Sequence, residues 1–396
     1  MKNTISTYIP ELIAIRHDLH KHPELGFEEK RTSGIVAGYL DRLGIEVHTG
    51  WARTGVVGVL RRGSSNSTIA LRADMDALPV QERSNLEYRS TNEGVMHACG
   101  HDGHTAILLG AARYLAEQGD FDGTVLFIFQ PAEEGGGGGR IMVEEGIVEK
   151  FGIQAVYGMH NHSGLETGAI STRTGPIMAA TDNFEITVHG KGTHAALPHT
   201  GVDPIIIASE LVSSLQTAVT RETKALDSVV LSVTQFIAGT TFNVIPDNAL
   251  LRGCTRFQSN EIGESLREAM ERITAGVCAA HQARYSFQYM PGYPPTINTA
   301  AESKAAAQAA KTVVGPENVD ENCPPLMASE DFSYFLEKIP GCYIFLGNGI
   351  HTQSHRSDFD FNDDIMPVGI AFWTTLVEQE LGEKRDAETR GKGEKN

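Results

Sequence analysis

Met96-His97-Ala98-Cys99-Gly100-His101-Asp102-Gly103-His104-Thr105-Ala106 sets three histidines, a cysteine and an aspartate among small residues. Thiolate and imidazole are donors that suit Zn²⁺ and related transition metals. Cys99 and His101 stand one residue apart, so in an extended or tightly turning segment both side chains can face one ion. Directly downstream, Ala106-Ile107-Leu108-Leu109-Gly110-Ala111-Ala112 is apolar and rich in helix formers. That predicts a ligand-bearing loop running straight into a buried helix. A solvated His-rich loop would need neither the cysteine nor core-like flanks.

Working outward, four short apolar runs each end in potential ligands. Thr68–Ala73 leads to Asp74-Met75-Asp76, and Thr124–Phe129 leads to Gln130-Pro131-Ala132-Glu133-Glu134 and five glycines. Ala155–Met159 leads to His160-Asn161-His162, and Cys342–Leu346 to a loop holding His351 and His355. Apolar, strand-like runs alternating with helical patterns predict an α/β sheet covered on both faces. Open α/β sheets bind ligands at the carboxyl ends of their strands. Four runs delivering acids or histidines to that edge predict a metal site there. Helices are expected over Tyr8–Lys21 and Glu29–Leu43, the second closed by Gly44.

From about Asp182 to Pro291 the pattern changes. Phe184, Ile186 and Val188 alternate with polar residues, as in a half-exposed strand, here expected at a sheet edge that seeks a partner. A helix from Pro204, strands over Ser228–Phe236 and Ala249–Phe257, a helix over Ile262–His281 and a strand over Arg284–Tyr289 follow. The order β-α-β-β-α-β is that of the ferredoxin-like unit. Since His355 lies beyond it, this is an inserted second domain. The expected division is 1–181 with 296–382 for the metal-bearing domain, 182–295 for the insert, and 383–396 for a disordered, charged tail.

The whole chain is consistent with this. Its 396 residues exceed what one core usually supports. A net charge of −17 argues against a nucleic-acid surface. Five scattered cysteines without framework spacing imply free thiols and a reducing compartment, so a cytoplasmic location is expected. No opening h-region and no long apolar run argue for export or membrane spanning.

Cys99, His101, Glu134, His160 and His355 are the ligand candidates, more than one closed tetrahedron needs. Two neighbouring ions sharing a water fit better. Of the adjacent Glu133 and Glu134, one can face metal while the other stands over the water as a base. Rival readings are a thiol-nucleophile hydrolase built on Cys99 with His101 or His104, and a non-catalytic metal sensor.

Arg72-Ala73-Asp74-Met75-Asp76-Ala77-Leu78-Pro79, His97-Ala98-Cys99-Gly100-His101-Asp102, Gln130-Pro131-Ala132-Glu133-Glu134 and Gly190-Lys191-Gly192-Thr193-His194-Ala195-Ala196 together resemble the motif set of the M20 metallopeptidase family, in its amidohydrolase branch of hippurate hydrolase and N-acyl-amino-acid deacylase type. The resemblance runs from His22-Pro23-Glu24-Leu25 to Asp360-Phe361-Asn362-Asp363. It implies a mixed sheet covered by helices, forming a metallohydrolase domain with an inserted ferredoxin-like lid that dimerises. It also implies two divalent ions (Zn, Mn, Co or Ni) and hydrolysis of a small N-acyl amino acid, with a dipeptidase or aminopeptidase as the nearest competitor. By resemblance, Cys99, His101, Glu134, His160 and His355 are the ligands, Glu133 the general base, and Asp76 the carboxylate that orients a ligating imidazole. His194 would stabilise the oxyanion across a homodimer, and Asn243 and Arg256 would grip the substrate. One departure stands out: the last ligand is followed by Arg356-Ser357, where the family often has Asn-Pro, which leaves His351 as a rival to His355.

Overall fold

The computed structural model describes residues 1–349 and 353–382. His351 and the stretch from Glu383 to Asn396 lie outside the described residues. Two compact units emerge: Met1–Gly175 with Ile297–Cys323 and the chain from Tyr334 onward, and Pro176–Thr296 with Pro324–Ser333.

The first unit opens with strands β1 (Glu46–Trp51), β2 (Gly55–Arg62), β3 (Thr68–Asp74), β4 (Gly123–Gln130), β5 (Ala155–Ser163) and β6 (Ile170–Ser171). The second unit supplies β7 (Ala180–His189), β8 (Val229–Ala238), β9 (Asn248–Phe257) and β10 (Arg284–Pro291). The chain then returns to the first with β11 (Val319–Asp320) and β12 (Gly341–Gly349). Among the described residues, the large sheet has the order β1-β2-β4-β3-β5-β12-β6-β11. The pairs β3–β4, β3–β5 and β5–β12 are parallel, whereas β1–β2, β2–β4 and β12–β6 are antiparallel. The sheet is therefore mixed, as expected. Strands β3, β4, β5 and β12 run the same way and are the four runs that end in donors, so their carboxyl ends share one edge. One detail differs. β5 runs on to Ser163, so His160 lies inside the strand, where it pairs with Phe345. The apolar run stops at Met159, but backbone pairing does not depend on side-chain polarity.

Helices α1 (Lys2–Lys21), α2 (Lys30–Arg42), α3 (His101–Gln118), α4 (Pro204–Thr217), α5 (Asn260–Ala280), α6 (Ala300–Val314) and α7 (Met366–Leu381) complete the layers. α7 buries Ile370, Phe372, Trp373, Leu376 and Val377 completely or nearly so. Each such side chain contributes about 1.5–3 kcal/mol when fully buried. Gly44 ends α2 as predicted, with φ +72° and its N–H donated to Asp41 O at 2.9 Å. α1 starts earlier than expected and carries Pro10 inside. Its buried stripe is Ile5, Tyr8, Leu12, Arg16, Leu19 and His20, while Ile9, Ile13 and Ile15 are only partly covered. A fully buried arginine at the centre of that stripe is the element's least expected feature.

In the second unit the sheet order is β8-β9-β7-β10, with every pairing antiparallel. The chain order β-α-β-β-α-β is the one read from the sequence. Asp203 caps α4, accepting from Ile205 N at 2.9 Å, with Pro204 in the first turn. Phe184, Ile186 and Val188 do not form an edge strand, contrary to expectation: β7 sits between β9 and β10. Their alternation arises because one face packs under Ile207, Leu211, Leu266 and Met270 of α4 and α5 while the other stays polar. Pro324–Ser333 joins this unit from outside the 182–295 span. Ala179 N donates to Leu326 O and Ala328 O at 3.0 and 2.9 Å, and Arg256 Nη1 donates to Met327 O at 3.1 Å.

Candidate metal centre

Each donor is set by a local backbone device at the carboxyl edge of the large sheet. Gly100 caps α3 with φ +99°, and a Cβ there would lie 2.2 Å from Asn161 Oδ1. Only glycine makes that turn, which places Cys99 just before the helix and His101 at its first residue. The histidine is thus helical instead of preceding the helix in a loop. After β4, Ala132 takes φ +53° and its N–H donates to the buried Glu29 Oε1 at 2.9 Å. The glycine run that follows is no open loop. Gly138 starts a short helix, and a Cβ on it would sit 1.8 Å from Pro131 O. This close approach presents Glu133 and Glu134 on a tight turn. His355 has φ +69° and donates its N–H to Ala98 O at 2.7 Å, so its segment is pinned beside Cys99.

The donor atoms of Cys99, His101 and His160 all lie within 4.8 Å of one another, as do those of Cys99, Glu134 and His355, and those of His101, Glu133 and Glu134. Cys99 Sγ is 3.3 Å from His160 Nε2, and Glu134 Oε1 is 3.1 Å from His355 Nε2. Cys99 and His101 each belong to two of the three groups, and a thiolate, unlike an imidazole with one free nitrogen, can face two positions. Asp76 supports both sides: its Oδ1 lies 3.2 Å from His101 Nδ1, and its Oδ2 accepts from Glu134 N at 2.9 Å. The backbone oxygen of Asp76 lies 2.9 Å from the same Nδ1. These contacts fix the tautomer, leaving His101 Nε2 aimed into the cluster, buried and without a hydrogen-bond partner among the described residues. Soft and borderline donors around an unpartnered imidazole nitrogen fit a divalent transition metal.

The electrostatics agree with a crowded donor set. Hydrogen bonding to Cys99 and Glu134 pushes the His355 imidazole up to about 10. Burial and the neighbouring His104 push His160 well below its usual value. Burial and Glu134 push the Cys99 thiol up, opposite to the depressed value of a thiol nucleophile.

From the sequence, His104 and His97 are expected to support the site without ligating; the partners of His104 are not foreseen. His104 Nδ1 meets Asp74 Oδ1 at 2.6 Å, and its Nε2 meets Asn161 Oδ1 at 2.7 Å. Asp74 Oδ2 accepts from Arg72 Nη1 at 2.6 Å, and Arg72 Nε donates to Gln130 Oε1 at 2.9 Å. Both oxygens of Asp74 are thus engaged by neighbours, although its donor atoms with those of His101 and His104 also lie within 4.8 Å of one another. The signal for the first of these pairs was available: Arg72 and Asp74 share one face of an otherwise apolar strand. His97 is buried, and burial lowers its imidazole to about 4.

The three residues assigned to substrate by resemblance sit in the second unit. His194 and Asn243 come together where Thr193–His194 pairs with Val244–Ile245, with Ala195 N donating to Asn243 O at 3.0 Å. Both are exposed. Arg256 stands apart from them on β9, half-buried and bonded to Met327 O.

The chain is 41% identical over 376 residues to hippurate hydrolase of Campylobacter jejuni, covering 93% of this chain and 98% of that one. It is 38% identical over 368 residues to N-acetylcysteine deacetylase of Bacillus subtilis, covering 92% and 96%. Among solved structures, it superposes on the Bacillus subtilis YXEP protein, described as a dinuclear metal binding peptidase, with a TM-score of 0.85 and 35% identity over 95% of this chain and 99% of that one. Residues 70–379 match the model of peptidase family M20/M25/M40, and the chain belongs to that family.

Proposed function

We propose that this chain hydrolyses the amide bond of N-acyl amino acids, hippurate-like or N-acetylated, to a carboxylic acid and a free amino acid, with two divalent metal ions. The observation that carries the reading is the convergence of Cys99, His101, Glu134, His160 and His355, with Glu133 beside them, around a buried His101 Nε2 that has no hydrogen-bond partner among the described residues. The names of the relatives supply the substrate class.

In this reading the five converging side chains hold the ions, and Zn, Mn, Co or Ni would suit the donors. When bound, such ions supply Lewis acidity toward a carbonyl and acidify water. Asp76 orients the His101 ring and holds the Glu134 backbone in place. Glu133, buried next to Glu134, takes the proton of the attacking water and returns it to the departing nitrogen, since an amine leaves only when protonated. By resemblance, His194 would contribute to the oxyanion across a homodimer, and Asn243 and Arg256 would grip the amide or carboxylate of the substrate.

The second unit acts as a lid and pairing surface of a homodimer in this account. Val230, Phe236 and Ile237 on the edge strand β8 are exposed apolar residues in support. The reading places the protein in the cytoplasm. All five cysteines are free, and among the described residues no helix is long and apolar enough to cross a membrane.

A panel of N-benzoyl, N-acetyl and indole-acyl amino acids, assayed beside dipeptides on the metal-loaded protein, tests the substrate class. The N-acyl compounds should give the higher kcat/KM. Turnover of dipeptides alone would transfer the reading to a peptidase. A monomer by light scattering at micromolar concentration would remove the dimer.

A further inference from the structure

The buried stripe of α1 passes through Arg16 and His20, each with no exposed surface. Arg16 Nη1 lies 3.3 Å from Asp102 Oδ2, the residue next to His101 in the first turn of α3. On its other side, Nε lies 2.7 Å from Asp363 Oδ1, Nη2 lies 3.2 Å from Asp363 Oδ2, and Nη1 lies 3.4 Å from Asp360 Oδ1. The guanidinium also stands 4.6 Å over the Tyr88 ring, whose hydroxyl donates to Asp360 Oδ2 at 2.9 Å. His20 Nδ1 holds the same Asp102 oxygen at 2.9 Å. Arg16 therefore bridges two segments that meet at the donor cluster: the α3 turn after Cys99, and the stretch from His355 to Asp363. Beside it Phe361 rests against α3, so closely that a Cβ on Gly103 would lie 2.4 Å from its ring.

Burying a guanidinium among carboxylates carries a large desolvation cost, and apolar residues of similar volume usually stabilise a core as well or better. A role in fixing geometry accounts for a fork of this kind. The 355–363 stretch is also held by the buried Phe359 and Phe361, by Asn348 on Asp360 and Asn362 and by His17 on Asp363, whereas its His355 end has the single backbone bonds His355 N to Ala98 O and Arg83 N to Ser357 O. By contrast, His101 is independently oriented by Asp76, and His160 is held within β5.

We propose that Arg16 is a positioning residue for the metal centre: it clamps the His355-bearing stretch against the α3 turn, so that the ion held by Glu134 and His355 depends on it. The proposal rests on the ligand reading above. It predicts an asymmetric effect, because the Cys99–His101–His160 side has its own supports.

The test titrates metal-stripped full-length protein with Zn²⁺ against a chromophoric chelator, resolving two binding steps. Far-UV circular dichroism and a denaturant midpoint of the stripped protein accompany each variant. Arg16→Met should weaken one step by about 10–100-fold, the range for losing support of a ligand, and leave the other within about threefold. Arg16→Lys should restore only part, since it keeps the charge without the planar fork. Asp363→Asn, at a partly exposed position, should weaken the same step to a smaller degree and decides the matter should Arg16→Met not fold. Two wild-type steps in the folded variants, or equal weakening of both, would overturn the proposal. His355→Ala runs alongside and should abolish the step that Arg16→Met weakens. If His355→Ala loses that step while Arg16→Met and Asp363→Asn do not, only the positioning role falls. If His355→Ala keeps both steps, the ligand reading falls and the proposal with it.

Discussion

Glu133→Gln should lower kcat by about 10²–10⁴-fold, the usual contribution of general acid–base catalysis. Glutamine keeps the size and hydrogen-bonding reach of the side chain but cannot shuttle a proton. Metal content and KM should stay near wild type, because Glu134 still faces Cys99 and His355. Glu134→Gln should behave oppositely, losing metal along with activity. The pairing matters because both carboxylates approach His101, so either could hold an ion. Measuring kcat, KM and metal content on both variants separates the two roles. Near-normal turnover in Glu133→Gln, or metal loss there but not in Glu134→Gln, would reverse the assignment.

The second large effect is expected at Asp76. Its carboxylate fixes the His101 ring through Nδ1 and takes the Glu134 backbone N–H. Removing such a support of a ligating histidine typically costs about 10–100-fold in metal affinity or activity. Asp76→Ala should fall within that range: it frees the Glu134 N–H outright, while the Asp76 backbone oxygen, 2.9 Å from His101 Nδ1, keeps part of the ring's support. Asp76→Asn should lose less, because its amide oxygen still accepts one of the two bonds. Competition with a chelator reads the affinities directly, and an unchanged affinity in Asp76→Ala would contradict this role.

The convergence of donors was legible because it rests on a property of parallel sheets. Strands that run the same way deliver their following residues to the same edge, so apolar runs ending in Asp74, Glu133, His160 and His355 imply one location. The local devices were partly legible. Gly100 between Cys99 and His101 announced a turn, but the start of α3 at His101 itself did not follow from composition. The β7 strand shows a different limit. Alternation at Phe184, Ile186 and Val188 reports one covered face, and an interior antiparallel strand produces it as readily as an edge strand. Arg16 was out of reach for a third reason. Its partners Asp102 and Asp363 are 86 and 347 residues away in sequence, and a cation on an amphipathic helix has no meaning until they are placed. The Arg72–Asp74 pair could have been found, since two charges on one face of a buried strand need partners.

The most direct measurement is anomalous diffraction from crystals of the metal-loaded protein, recorded at the absorption edge of the bound metal. The account predicts two peaks about 3.5–4 Å apart, the spacing of ions that share a water. Cys99 should stand between them, with His101 and His160 on one side and Glu134 and His355 on the other. A single peak, or peaks at Asp74 and His104 away from Cys99, would contradict it.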